Sequence, residues 1–194
     1  MDGEEPVSTQ LLLDFYGGMP NWALERCAQA FEKQGDHRYA KTLRQYQRKT
    51  LGEHYANVAK KEIIRKKFIT LCKQKNIDVI LTPIMPYPAM KAEGTELLHN
   101  YLQYPILATA FDLPAGIVIT RKLKPEEEKI EDKYDDLVSE VQRWNAKGSA
   151  GLPGSVHVIG MPYEDEKTLG VMKQIDDIWK FREMPNLNFV KNCL

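Results

Sequence analysis

The stretch GLPGSVHVIGMPYEDE, residues 151–166, decides how the second half of the chain folds. From Ser155 to Ile159 apolar and polar residues alternate, which predicts a β-strand with one buried face. Gly160 and Pro162 end this strand, and the acids at 164–166 suit the positive N-terminus of a helix. The stretch therefore predicts a strand, a turn and a final helix.

Two more strands are predicted upstream of this unit. IDVILTP (77–83) is an apolar run that ends in threonine and proline, and GIVIT (116–120) is a second buried run. Segment 97–111 is predicted as a helix, and the alternating charges of 124–144 predict an exposed amphipathic helix. The core face expected for the final helix is Leu169, Met172, Ile175 and Ile178.

The front of the chain has helical spacing throughout. Asn21 is predicted to cap a helix that runs to the neighbourhood of Lys33 and is ended by Gly35. Asp36 is predicted to cap a long helix towards Lys73, with one packed and one solvated face.

The 194 residues suit one domain, but three strands are fewer than the ~5–6 of a typical sheet. We therefore predict a single incomplete α/β domain, in which long N-terminal helices (1–76) precede an α/β part (77–183) and a tail (184–194). The α/β part is predicted as about three strands of a mixed sheet with packed helices. Its open edge requires other protein subunits to cover it, and the isolated chain is expected to aggregate or fold only in part.

Charge narrows the class of partner. The 27 basic and 27 acidic residues balance, which argues against a dedicated nucleic-acid binder. Basic residues are nevertheless concentrated at 41–75 and acids at 126–136. The basic run KKEIIRKK (60–67) has the composition to meet anionic lipid, nucleic acid or an acidic protein surface, and a solvated helix face is the default interpretation.

The compartment is predicted from cysteines and from the N-terminus. Three widely spaced cysteines indicate a reduced, intracellular protein. The start is acidic, unlike a signal peptide, and no segment approaches the ~20 apolar residues of a transmembrane helix. We expect a cytoplasmic location by default, with an organelle such as the mitochondrion left open.

The sequence motifs, taken together, resemble a known family. They are DVILTP (78–83), FDLPAG followed by IVIT (111–120), GLP and VIG within 151–166, and the front NWALERCAQAFEKQGDHRYAKTLRQYQRKT (21–50). In this order they resemble the C-terminal portion of the amidase signature family, most of all its fatty-acid amide hydrolase branch with the protist members, over most of 12–180. The resemblance implies a partial amidase-signature fold and a hydrolase that splits amide bonds with a serine nucleophile, a bridging cis-serine and a lysine base.

The catalytic parts of that family cannot be matched in this chain. A serine nucleophile needs a neighbouring base and N–H groups that hold the oxyanion. The sequence has no GGSSGG-like tract and no lysine that corresponds to the family's base, both of which lie in the family's N-terminal half. We therefore predict no catalytic residue, no cofactor and no metal site.

Two local features have the residue types of a functional site. KGSAGLPGS (147–155) places Ser149 and Ser155 among glycines but lacks the GK[ST] ending of a phosphate-binding loop, so a tight turn is predicted. Relatives usually follow GLP with an apolar residue, a glycine, an apolar residue and a glutamine, whereas here Gly154, Ser155 and His157 depart from that pattern. We expect His157 to be a satisfied strand histidine rather than a titrating group.

A ligand wall is the one binding site predicted. The resemblance places the apolar wall of an acyl pocket around the residues after the first strand and in the next helix. The predicted wall consists of Met85, Tyr104, Ile106, Leu107 and Phe111, with Tyr87, Met90 and Tyr101 nearby. Core packing or a contact surface explains the same residues.

Two functions from different classes follow. The first is a non-catalytic amidase-like protein that acts as a structural or accessory subunit of a larger assembly, with a fatty acyl ligand or lipid as a further partner left open. The second is the C-terminal part of an active serine amidase acting on fatty-acid amides, with its catalytic half on another chain or missing.

Overall fold

A computed structural model of the protein describes residues 18–94, 103–131 and 133–183. This part of the chain folds into six α-helices and a three-stranded sheet. In chain order they are α1 (Asn21–Lys33), α2 (His37–Gln45), α3 (Leu51–Gln74), β1 (Val79–Thr82), α4 (Gln103–Phe111), β2 (Ala115–Lys122), α5 (Leu137–Ala146), β3 (Pro153–Gly160) and α6 (Asp165–Trp179).

The sheet has the strand order β1, β3, β2. The three predicted strands are confirmed, but both neighbouring pairs are antiparallel, so the sheet is not mixed. β3 runs between β1 and β2 and opposite to both, so β1 and β2 point the same way without touching. The last of the described strands therefore joins the other two into one sheet.

One face of the sheet receives α6. Leu81, Val158 and Gly116 lie opposite one another on this face. A Cβ atom at Gly116 would lie 2.5 Å from the Met172 side chain, and one at Gly160 would lie 1.9 Å from the Thr168 hydroxyl. The two glycines let the helix approach the strands more closely than any larger residue would.

The other face packs on α4. Ile80 and Ile159 are paired across β1 and β3 on this face, and Ile159 forms a buried cluster with Ala108 and Leu113. The rings of Phe68 on α3 and Phe111 on α4 lie 5.2 Å apart at the edge of that cluster. This core connects the sheet to the second half of α3.

The helices α1, α2 and α5 form a second core, made of Ala28, Tyr39, Ala40, Leu43 and Val138. Ion pairs surround it. The Arg44 guanidinium lies 2.9 Å from Glu25 and 2.5 Å from Glu32 on α1. Arg38 on α2 lies 2.5 Å from Asp136, at the start of α5.

Two details of the predicted front were wrong. The single long helix expected after Asp36 is two helices, because Thr50 and Glu53 form a complete capping box that begins α3. The N-cap position of α1 is Pro20, not Asn21. The Asn21 amide instead donates to the Arg48 carbonyl at 3.0 Å and accepts from the Arg48 N–H at 2.7 Å.

The predicted helix over 124–144 was also wrong. The segment holds a 3₁₀ helix, Pro125–Glu128, and then the start of α5. Asp136 begins α5 by accepting a hydrogen bond from the Ser139 N–H at 3.0 Å. The helix is buried through Val138, Ser139, Gln142, Asn145 and Ala146 rather than exposed.

The face of α6 that meets the sheet is rotated from the predicted one. Leu169 and Ile178 are 62% and 76% exposed, whereas Thr168 is buried and Met172 contacts Gly116. The Thr168 hydroxyl donates to the Glu164 carbonyl at 2.9 Å, so this polar side chain is satisfied against the sheet. Hydrophobic spacing alone assigned the face to the larger side chains.

Three predictions fall outside the described residues: the tail 184–194, the start of the helix predicted over 97–111, and Tyr101. Within the described ranges, no helix has the length and apolar character required to cross a bilayer.

Candidate functional site

The loop after β1 encloses a cavity of about 480 Å³. Segment 83–89 has prolines at 83, 86 and 88, which lack the N–H that would extend β1. The segment therefore leaves the sheet and forms one wall of the cavity. The opposite wall is formed by Leu123, Ile130 and the start of β3 at 153–155. We call this space the proline-loop cavity.

A buried asparagine holds the loop in place. Asn145, 1% exposed on α5, accepts a hydrogen bond from the Lys91 N–H at 2.8 Å and donates to the Pro88 carbonyl at 3.3 Å. The Lys91 ammonium donates to the Trp144 and Lys147 carbonyls at 2.9 and 2.7 Å. The end of α5 therefore fixes the far end of the loop.

The charge of Glu127, the acid in the cavity wall, is balanced by Arg121. Both carboxylate oxygens of Glu127 accept hydrogen bonds from Arg121 at 2.6 Å, and one accepts the Lys124 N–H at 2.8 Å. The Arg121 hydrogen bonds, followed by that of Lys124, lower the pKa of Glu127 to about 2. The other polar side chains of the lining are those of Tyr87, Lys129 and Ser155.

The described lining of the cavity can hold a ligand, but none of its side chains is placed to act as a general base. Glu127 stays ionised and paired, so it is a poor general base. Apolar walls with a few polar groups are the usual surroundings of a small-molecule ligand.

The five predicted wall residues are divided by the structure. Met85 lines the proline-loop cavity, and none of the other four lines it. Leu107 and Phe111 pack against the buried cluster under the sheet. Tyr104 and Ile106 are 39% and 53% exposed on α4. The acyl-pocket assignment stays a prediction for all five.

The serines near the predicted turn lack a catalytic arrangement. Ser149 is 2% exposed, and its hydroxyl has no hydrogen-bond partner among the described residues. The turn around it is built from Gly148 and Gly151, whose φ angles of 81° and 85° are unfavourable for other residues. Ser155 is half-buried at the rim of the cavity.

His157 is a strand residue with a partner. It is 4% exposed, and its Nδ1 lies 3.2 Å from the Thr82 hydroxyl on β1. Burial lowers the pKa of the imidazole, so His157 is neutral at physiological pH. The prediction of a satisfied strand histidine is confirmed.

Sequence reasoning missed Asn145 and Arg121. Both carried a signal: asparagine is unfavourable inside a helix unless its side chain has a tertiary partner, and Arg121 and Glu127 carry opposite charges six positions apart. Among the residues that the structure describes, no group of His, Cys, Asp and Glu side chains could hold a metal ion.

The chain is similar to fatty acid amide hydrolases. It is 31% identical over 129 residues to fatty acid amide hydrolase 1 of Caenorhabditis elegans, covering 65% of this chain and 22% of that protein. It is 27% identical over 119 residues to fatty-acid amide hydrolase 1 of Sus scrofa, covering 59% of this chain and 20% of that protein. The chain thus spans about a fifth of the length of these relatives.

The likeness extends to the fold. A solved structure of a fatty acid amide hydrolase superposes with a TM-score of 0.59 at 18% identity, over 82% of this chain and 32% of that structure. No family model matches the chain.

Proposed function

We propose, from the premise that this chain is homologous to part of the fatty acid amide hydrolases and has a partial amidase-signature fold, that it is a non-catalytic structural subunit. In this role it contributes an amidase-like sheet and helices to a larger protein assembly.

The observation that carries the proposal is the apolar surface left open around the sheet. Leu81 on β1 is 56% exposed, and Ile117 and Ile119 on β2 are 51% and 42% exposed. β1 and β2 are the outer strands, so each has one side without a neighbouring strand in the described sheet. Unpaired strand edges and large exposed apolar side chains on both faces of a sheet are features of interfaces.

The state of the serines supports the non-catalytic part. The Ser139 hydroxyl is held by Arg38 at 2.5 Å and by Asp136 at 3.0 Å. The Ser149 hydroxyl is buried without a base. A serine in either setting has no neutral amine to accept its proton.

The direct test is labelling with a fluorophosphonate probe, which reacts with activated serines. The native complex and the purified chain are treated with the probe, and the labelled peptides are identified by mass spectrometry. We expect no label on Ser139, Ser149 or Ser155. A labelled serine in this chain that is also required for hydrolysis of a fatty amide would overturn the proposal.

The alternative is that the chain completes an active serine amidase that acts on fatty-acid amides. The proline-loop cavity favours it, because about 480 Å³ with an apolar wall at Met85 would suit an acyl chain. This alternative requires the serines and the lysine to lie on another polypeptide or in residues missing from this chain.

The alternative is tested by the composition of the native assembly. It requires a polypeptide with a Gly/Ser-rich double-serine tract, either continuous with this chain or present in equal amount. If quantitative mass spectrometry of the purified complex finds no such polypeptide, the alternative is excluded and the structural role stands.

A further inference from the structure

We infer that α3 is a docking helix that inserts into a cleft of one acidic partner protein, which covers two opposite sides of the helix. The inference rests on the proposed structural role and adds the surface and the chemistry of the partner. It comes from the exposure and charge of α3.

The first half of α3 carries an apolar stripe that nothing in the described residues covers. Leu51, Tyr55 and Val58 are 67%, 63% and 43% exposed, and every residue from 51 to 60 is exposed. The spacing of four and three residues places the three side chains on one face. The stripe continues the side on which the second half of the helix packs, where Cys72 is buried and Arg65 donates to the Phe111 carbonyl at 2.6 Å.

The second half of α3 has an apolar stripe on the opposite side. Ile64 and Leu71 form it and are 47% and 52% exposed, whereas Ile63, 55% exposed, lies between the two stripes. At about 100° per residue, Ile64 lies roughly half a turn round the helix from Tyr55. A helix whose apolar residues lie on opposite sides is typical of a buried helix, not of one lying on a surface.

The charge of α3 defines the partner's chemistry. The helix carries six Lys and Arg against two Glu. Lys60, Lys66 and Lys67 are exposed, and within the described part of the chain none forms an ion pair. Carboxylates at the rim of the partner's cleft would complement these ammonium groups and speed association.

Two other occupants fit less well. A membrane surface contacts one side of a helix and favours segregated apolar and basic faces, whereas α3 has apolar stripes on opposite sides. A second copy of this chain would bring two helices of the same positive sign together. The two-sided stripe and the unpaired lysines therefore favour an acidic protein partner.

The experiment uses site-specific photo-cross-linking of the full chain in its native cells. A photoreactive amino acid replaces Tyr55 or Ile64, and Tyr163, 95% exposed on the turn before α6, serves as the control position. We expect Tyr55 and Ile64 to give adducts with peptides of the same partner polypeptide, close to its acidic residues, and Tyr163 to give none with those peptides.

Charge reversal tests the electrostatic part. The double variant Lys60→Glu/Lys67→Glu should lower the yield of both adducts by about tenfold. The matched variant Lys33→Glu/Lys41→Glu, on exposed lysines of α1 and α2, should leave the yield unchanged. Circular dichroism verifies that both variants keep their helix content.

Several results would overturn the inference. Adducts from one stripe only, adducts with a second copy or with residues 1–17 of the same chain, or binding of α3 to anionic vesicles that Lys60→Glu/Lys67→Glu abolishes would each do so. If the assembly co-purifies unchanged with this double variant while the adducts lie elsewhere, the docking helix is refuted but the structural role is not. A serine of this chain that the fluorophosphonate probe labels and that hydrolysis requires would refute the structural role independently of the cross-linking results.

Discussion

The α1–α2 hairpin and helix α3 are adjacent in the chain and equally helical, yet their surroundings differ. The hairpin buries Leu24, Ala28 and Leu43, and its ion pairs to Glu25 and Glu32 close around Arg44. In α3 the one buried residue of 24 is Cys72. The hairpin is satisfied by contacts within the described chain, whereas the apolar surface of α3 is not. Under the proposed structural role, the difference separates what the chain stabilises alone from what it would present to a partner.

The largest effect is expected from truncating matched leucines in the two regions. Leu43→Ala removes a side chain that is 2% exposed, so it should lower the free energy of unfolding by about 3–4 kcal/mol. Leu51→Ala removes one that is 67% exposed and should change it by less than about 0.5 kcal/mol. Urea denaturation of the purified chain measures both. Equal losses would show that α3 is covered within this chain and would break the comparison.

A second pair of variants extends the comparison to α6. Gly160→Ala places a methyl group 1.9 Å from the Thr168 hydroxyl and 3.3 Å from Pro114, and we expect a loss of about 2–3 kcal/mol. The second variant, Gly170→Ala, lies on α6 itself. Its new methyl group meets nothing within 4 Å, so it should stabilise the chain by about 0.5–1 kcal/mol. Thermal unfolding distinguishes them. A neutral Gly160→Ala would show that α6 is only loosely seated on the sheet.

Local signals were sufficient to predict much of the fold from the sequence. The three strands follow from short apolar runs bounded by proline and glycine, and the acids at 164–166 marked the start of α6. The family resemblance rested on motifs at those strand ends and on the helical front at 21–50, and the relatives confirm the similarity to fatty acid amide hydrolases.

The predictions that failed depended on tertiary contacts or on competing caps. Hydrophobic spacing ran through Thr50, but the capping box with Glu53 ends the pattern and begins a new helix. The face of α6 was misassigned because Thr168 fits against Gly160, a contact that no periodicity reveals. The role of Asn145 in holding the proline loop depends on residues more than 50 positions away.

Acid should weaken the contact between α2 and the start of α5. Hydrogen bonds from Arg38 lower the pKa of Asp136 from 3.8 to about 2, and this carboxylate is 7% exposed. Because the pKa is lower in the folded chain, the ion pair stabilises fully above about pH 4 and loses its effect as pH falls to 2. The loss should be about 1–2 kcal/mol. Unfolding measured between pH 5 and 2 should show this slope, and Asp136→Asn should flatten it.

The smallest effect tests the start of α3, where the cap lacks tertiary support. The Thr50 hydroxyl accepts the Glu53 N–H at 3.2 Å, and the Glu53 carboxylate accepts the Thr50 N–H at 2.8 Å. Thr50→Ala removes one side of this box and should cost about 1 kcal/mol of local helix stability. Because residues 51–60 are exposed throughout, the loss should appear as faster amide hydrogen exchange in that segment alone.

Thr50→Ser keeps the hydroxyl and should leave the exchange unchanged, which separates the cap from the loss of a methyl group. Adding the native partner provides the sharper contrast. If the partner's cleft encloses the first half of α3, then the exchange of residues 51–60 in Thr50→Ala should slow to the wild-type rate on assembly, since tertiary contacts replace the cap as the source of helix stability. Fast exchange that persists in the assembled complex would mean that this half of the helix stays in solvent, and the contrast between hairpin and docking helix would lose its basis.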